Sequence, residues 1–133
     1  MIERCVDTVC KLVTKYGCIY TLVYGMNIAI VSFSYPNNGR QLKKLIQSLV
    51  QSGLVACAQV TNYMHSYFVR EGKLKKAQEK FVVCKLLPEH TAKVVAAIEK
   101  QHPYDIPEIL IETKECNQAY GDWVSSCAVV KKK

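Results

Sequence analysis

His102-Pro103-Tyr104-Asp105-Ile106-Pro107-Glu108 decides how this chain is read. Each proline removes a backbone donor and drives the residue before it toward extended geometry. Any helix that precedes must therefore stop near His102, and the chain must turn a short stiff corner into something extended. Ile109-Leu110-Ile111 follows and reads as the start of a strand. A histidine, a tyrosine and two acidic residues are thus gathered at one rigid junction. A helix stop and strand start explains this by itself; the sharper expectation is that the corner forms the wall of a site.

Working backward, Thr91, Val94, Val95 and Ile98 have helical spacing, and Pro88 suits the first turn of that helix. Lys73 to Leu87, polar at first and apolar later, reads as a long strand whose first half lies outside the core. Glu71-Gly72 turns it back on the aromatic run Asn62 to Arg70, and Leu54 to Val60 reads as a short buried strand. Leu42, Leu45, Ile46, Leu49 and Val50 mark an amphipathic helix between the Pro36-Asn37-Asn38-Gly39 turn and Gly53. Met26 to Tyr35 reads as a buried strand. Working forward, Ile109 to Thr113 is the last core strand, and Tyr120, Trp123, Val124, Cys127 and Ala128 share one helical face.

The order is β-α-β, a hairpin extension, β-α-β and a terminal helix. That is an α+β fold of the ferredoxin-like, split βαβ type, with an antiparallel sheet and two helices on one face. The other face needs cover from the last helix or a partner chain. Three parts are expected: a variable extension (1–25), the domain (26–130) and a basic tail (131–133). Val6, Val9, Cys10 and Val13 make a short amphipathic segment in the extension. Tyr16 to Tyr35 is uncharged for twenty residues, but its glycines, polar residues and closing turn argue against a membrane span. A targeting segment at 1–25 is the alternative to a cytoplasmic location.

The 133 residues carry a formal charge of +7 and are half hydrophobic. Three of those charges sit in Lys131-Lys132-Lys133, and residues 26–130 hold twelve basic against nine acidic side chains. Only Arg4, Arg40 and Arg70 are arginines, the usual readers of bases and phosphates. No nucleic-acid partner is expected. The seven cysteines are odd in number, irregularly spaced and free of any CxxC pair, which suits a reducing compartment and signals no structural zinc. Glycine-rich phosphate loops, GxSxG elbows and HExxH motifs are also lacking. A His102–Glu108 or His102–Tyr104 pairing suits acid–base work, but no nucleophile or cofactor motif accompanies it, so no enzyme is expected. His65 and His90 read as structural. A metal reading pairs His102 with the soft ligand Cys57, which favours copper or zinc. Glu79 and Lys85 lie six apart on one face of the long strand, as an interface ion pair or a charged pocket.

These residues carry a resemblance. Leu54-Val55-Ala56-Cys57-Ala58, Ser66, Glu71-Gly72-Lys73-Leu74, Glu79, Lys85, His102-Pro103-Tyr104, Pro107-Glu108, Tyr120 and Trp123 follow the order and spacing of the CutA divalent-cation-tolerance family. The chain resembles that family over roughly residues 26–128. The resemblance implies a tight homotrimer with the long strands crossing between subunits, contacts through Tyr67, Phe68 and Trp123, and the bare sheet face buried at the centre. It implies a role in the response to divalent metal ions, with copper as the candidate metal at Cys57 and His102. Glu79, Lys85, Tyr104 and Glu108 correspond to a polar cluster near the subunit cleft. The alternative function is a signalling or scaffold trimer that binds a small anion or metabolite in that cleft. The chain departs from the pattern at Phe68-Val69-Arg70, which lacks a tryptophan, and at Leu86, which replaces a threonine.

Overall fold

The computed structural model describes residues 25–128; the extension and the lysine tail lie outside the described residues. Five strands and three α-helices follow in order: β1 (Met26–Pro36), α1 (Gly39–Gln51), β2 (Cys57–Val60), β3 (Met64–Arg70), β4 (Lys73–Leu86), α2 (Thr91–Gln101, entered through a 3-10 turn at Pro88–His90), β5 (Ile109–Cys116) and α3 (Gln118–Cys127). The sheet is antiparallel with strand order β2-β4-β1-β5, and β3 continues the β2 side of β4. With β2 and β3 taken as two segments of one arm, this is the split βαβ arrangement that the sequence predicts.

The core lies on one face of that sheet. Ala29, Val31, Phe33 and Tyr35 of β1 and Val82, Cys84 and Leu86 of β4 pack against Leu42, Leu45 and Leu49 of α1 and Val94 and Ile98 of α2. Alternation along the strands sends these residues to the helices and their neighbours to the other side. Asn38 caps α1 by accepting the Gln41 N–H, and Gly53, at φ 78°, turns the chain out of the helix. Val50, the last residue of the predicted stripe, is exposed. Burial pushes the Cys84 thiol up to about 12, with Cys57 adding to the shift and Lys85 opposing it. The unfolded chain then loses this proton first. Stability is intact below the ordinary thiol pKa of 9.0 and falls as pH rises from there to about 12. Denaturant midpoints measured between those limits should fall less steeply in Cys84→Ala than in the parent chain.

On the second face, α3 covers only one end. Gly121 comes so close to Met26 that an added Cβ would stand 2.7 Å from its sulfur. Ile28 and Val124 are buried apart from the main core. The rest of that face is bare: Ile30, Ser32, Phe81, Val83, Leu110 and Glu112 line a shallow concavity of about 530 Å³.

Three boundaries differ from the sequence reading by two residues or more. The first strand of the arm is confined to Cys57–Val60, and β3 starts at Met64. β5 continues through Lys114 and Glu115 to Cys116, because an edge strand paired only with β1 tolerates charge on exposed positions. Between β2 and β3 the register slips: Val60 faces Val82, but Met64 faces Glu79. One extra residue on the arm makes a bulge and reverses which side chains face the bare side.

The hairpin tip is a two-residue loop in which both Glu71 (φ 53°) and Gly72 (φ 72°) are left-handed. Glycine adopts this conformation freely, whereas a glutamate strains in it. Glu71→Asn should therefore raise stability by about 0.5–1 kcal/mol. The check is a higher denaturation midpoint with an unchanged slope.

Candidate functional site

The proline corner is tied to β1 by His102. Helix α2 ends there because Pro103 holds His102 extended (φ −78°, ψ 134°). The imidazole is 8% exposed and bonded at both nitrogens. The Tyr104 backbone N–H donates to Nδ1 at 3.1 Å, so Nε2 carries the proton and donates to the Ser34 carbonyl at 2.7 Å. The ring also meets Tyr35 edge-on and Tyr104 at a tilt, each with centroids 5.0 Å away. His102 is thus a staple that fixes the corner to the sheet.

What it fixes is one wall of a groove. The groove, about 900 Å³, runs between the corner (Pro103, Tyr104, Asp105, Ile106, Glu108) and the hairpin (Ser66 to Arg70), with Ser34 and Glu79 below. Glu79 is 6% exposed. Burial, followed by the neighbouring Glu79 carboxylate, pushes the Tyr104 phenol above its ordinary value. Among the described residues no lysine or arginine forms an ion pair with Glu79. A buried carboxylate demands compensation by a cation or by hydrogen bonds, and the neighbouring phenol supplies little of it. The bulge decides the wall opposite, because it turns Ser66, Phe68 and Arg70 onto the same face as Glu79.

Residues 29–127 match the family CutA1 divalent ion tolerance protein. The chain belongs to that family. It is 29% identical over 98 residues to a probable divalent-cation tolerance protein cutA homolog of Encephalitozoon cuniculi, covering 73% of this chain and 84% of that one. It is 32% identical over 69 residues to the divalent-cation tolerance protein CutA of Pectobacterium atrosepticum, covering 52% and 63%. The crystal structure of the divalent ion tolerance protein CutA1 from Ehrlichia chaffeensis superimposes with a TM-score of 0.73 at 23% identity, over 78% of this chain and 97% of that one. This last likeness establishes the fold.

The structure brings together only part of the residue set read from the sequence. Glu79, Tyr104 and Glu108 share the groove. Lys85 does not: six residues along β4 put it roughly 20 Å from Glu79. There it is paired with Gln59 and stands opposite Cys57. Cys57 and His102 do not form one site within a protomer. His102 bonds Ser34, whereas Cys57 lies two strands away and four β1 residues further down, roughly 15 Å off. Cys57 is close to Tyr120 of α3, whose phenol is pushed up by burial and by the thiols of Cys57, Cys116 and Cys127. His102 has no free ring nitrogen for a metal, and among the described residues no three His, Cys, Asp or Glu side chains converge as ligands. Copper held jointly by Cys57 and His102 therefore does not fit one protomer. Tyr67 and Phe68 are exposed on the hairpin, and Trp123 is exposed on α3 beside Tyr120. Asp105 joins the groove as one of the two acidic residues of the corner, and Ser34, Ser66 and Arg70 join it without having been singled out as site residues; only the bulged register reveals the hairpin contribution.

Proposed function

We propose that this chain acts as a homotrimer in the response to divalent cations, capturing them at the Glu79 groove. The observation that carries the reading is a nine-tenths buried carboxylate on the floor of an open groove, with no cationic side chain paired to it among the described residues. A hard divalent ion that keeps much of its hydration needs only one or two carboxylates. Glu79 supplies one, and Glu108 a second toward the rim. A small anion is disfavoured there, because the only cleft lysine of the sequence reading, Lys85, lies elsewhere.

Trimer formation is supported by two features. The bare face exposes Leu110 beside half-buried Ile30, Phe81 and Val83, more apolar surface than a solvated sheet face usually keeps. Charge is also uneven: Arg70, Lys73, Lys75, Lys76 and Lys80 outnumber Glu71 and Glu79 on the hairpin, while Glu112 and Glu115 outnumber Lys114 on β5. The hairpin and the β5 edge of neighbouring copies are thus complementary, with Tyr67, Phe68 and Trp123 as proposed contacts. The free thiols of Cys57, Cys84, Cys116 and Cys127 fit a cytoplasmic location.

The test is calorimetric titration of the reduced protein with Zn²⁺, Mn²⁺ and Cu²⁺, beside Glu79→Gln and Cys57→Ser. Capture in the groove predicts affinity about 10–100-fold lower in Glu79→Gln and unchanged in Cys57→Ser. The reverse pattern would move the site to the thiol and restore the copper reading, with a ligand from a neighbouring subunit.

A further inference from the structure

We infer that the same groove takes an organic dication, a linear aliphatic diamine, with one ammonium on Glu79 and the other at the rim on Asp105 or Glu108. The inference rests on reading the groove as the ligand site and adds a ligand class to it.

Size is the first reason. A bare ion occupies a small part of about 900 Å³, and the remainder is not lined for water. Phe68, Val69, Pro103 and Ile106 form apolar walls, and Ile106 is 91% exposed. A methylene chain laid along these walls would remove apolar surface from water, at about 25 cal/mol per Å².

The polar groups suit an ammonium at the buried end. An ammonium has three donors and no acceptor. The Glu79 carboxylate and the Ser34 and Ser66 hydroxyls are three acceptors on the same groove. Tyr104 lines the groove with Glu79, and its ring adds an aromatic face of the kind that attracts organic cations.

The charge balance calls for two positive charges. The groove holds the carboxylates of Glu79, Asp105 and Glu108 against the single guanidinium of Arg70, a surplus of two negative charges. Arg70 sits on the hairpin side, so the second ammonium is directed away from it, toward the corner carboxylates.

The experiment is a calorimetric titration of the full chain in 0.1 M salt with 1,4-diaminobutane, 1-butylamine and Zn²⁺. The oligomer mass is followed by light scattering. Diamine should bind once per subunit, about threefold more tightly than the monoamine, as expected for one additional exposed ion pair. Glu79→Gln, which keeps the side-chain volume, should weaken diamine about 10–100-fold. Arg70→Gln should tighten it about two- to fivefold, which keeps the test decisive should Glu79→Gln misfold. If Zn²⁺ binding depends on Glu79 while diamine does not bind, the groove is a site and the diamine inference is overturned. Diamine affinity unaffected by both substitutions would mean general surface pairing and overturn it equally. Failure of both cations to bind, with Glu79→Gln lowering the oligomer mass, would show a neighbouring copy filling the groove and overturn the site as well.

Discussion

His102→Ala is expected to lower the unfolding free energy by about 2–4 kcal/mol, one of the largest effects of any polar substitution in this domain. The loss combines three effects. The Ser34 carbonyl loses its donor at 2.7 Å and the Tyr104 N–H its acceptor at 3.1 Å, and a buried group left unpaired costs about 1–3 kcal/mol. Tyr35 and Tyr104 each lose a ring 5.0 Å away, leaving a cavity beside Tyr35 that the stiff corner cannot easily close. Denaturant unfolding at fixed protein concentration checks the magnitude. Because the ring joins β1 to the corner, amide exchange should also accelerate at Tyr104 and Asp105 while the far end of β1 stays protected. A cost below about 1 kcal/mol would mean that the staple contributes little and that the prolines alone hold the corner.

The second large effect concerns assembly. Val83→Asp is expected to convert the proposed trimer to monomer. Val83 stands opposite Ser32 on the bare face and lines the concavity with Ile30, Phe81 and Leu110. In a trimer centred on that face, three aspartates would be brought together out of water with no cation to pair them. An unpaired buried charge costs about 3–5 kcal/mol, and here it is paid three times per assembly. Val83→Thr, similar in shape but uncharged, should remain trimeric with a modest loss. Light scattering across a concentration series distinguishes these outcomes. A trimer that tolerates Val83→Asp would show that subunits meet elsewhere and that the bare face is exposed.

Much of the fold was legible because the strong signals are local. The spacing of Leu42, Leu45 and Leu49 follows directly from one buried helical stripe, and the two prolines of the corner dictate where α2 stops. Glu71-Gly72 announces a tight hairpin through its backbone chemistry. Tyr16 to Tyr35 looked ambiguous because a strand buried on both sides by neighbours and an apolar helix have the same composition; its second half proves to be the central strand β1. The site was legible only in part. Glu79, Tyr104 and Glu108 could be named, but their distance from Lys85 depends on strand length rather than on facing, and both residues do lie on the same face. Cys57 and His102 lie apart within one protomer, because chemical affinity between residue types carries no information about separation. The contribution of Ser66, Phe68 and Arg70 was hidden by the bulge: a one-residue slip at 61–63 exchanges inside for outside along the whole of β3, and no residue there announces it.

The most direct test of cation capture is the carboxyl carbon resonance of Glu79 in glutamate-labelled protein, followed through titration with Zn²⁺ and with 1,4-diaminobutane. Capture in the groove predicts that this resonance shifts with each cation and saturates at one equivalent per subunit, together with the ring signals of Tyr104, while Cys57→Ser leaves the response intact. A Glu79 resonance that stays fixed while signals around Cys57 or the exposed carboxylates of β5 move would contradict it.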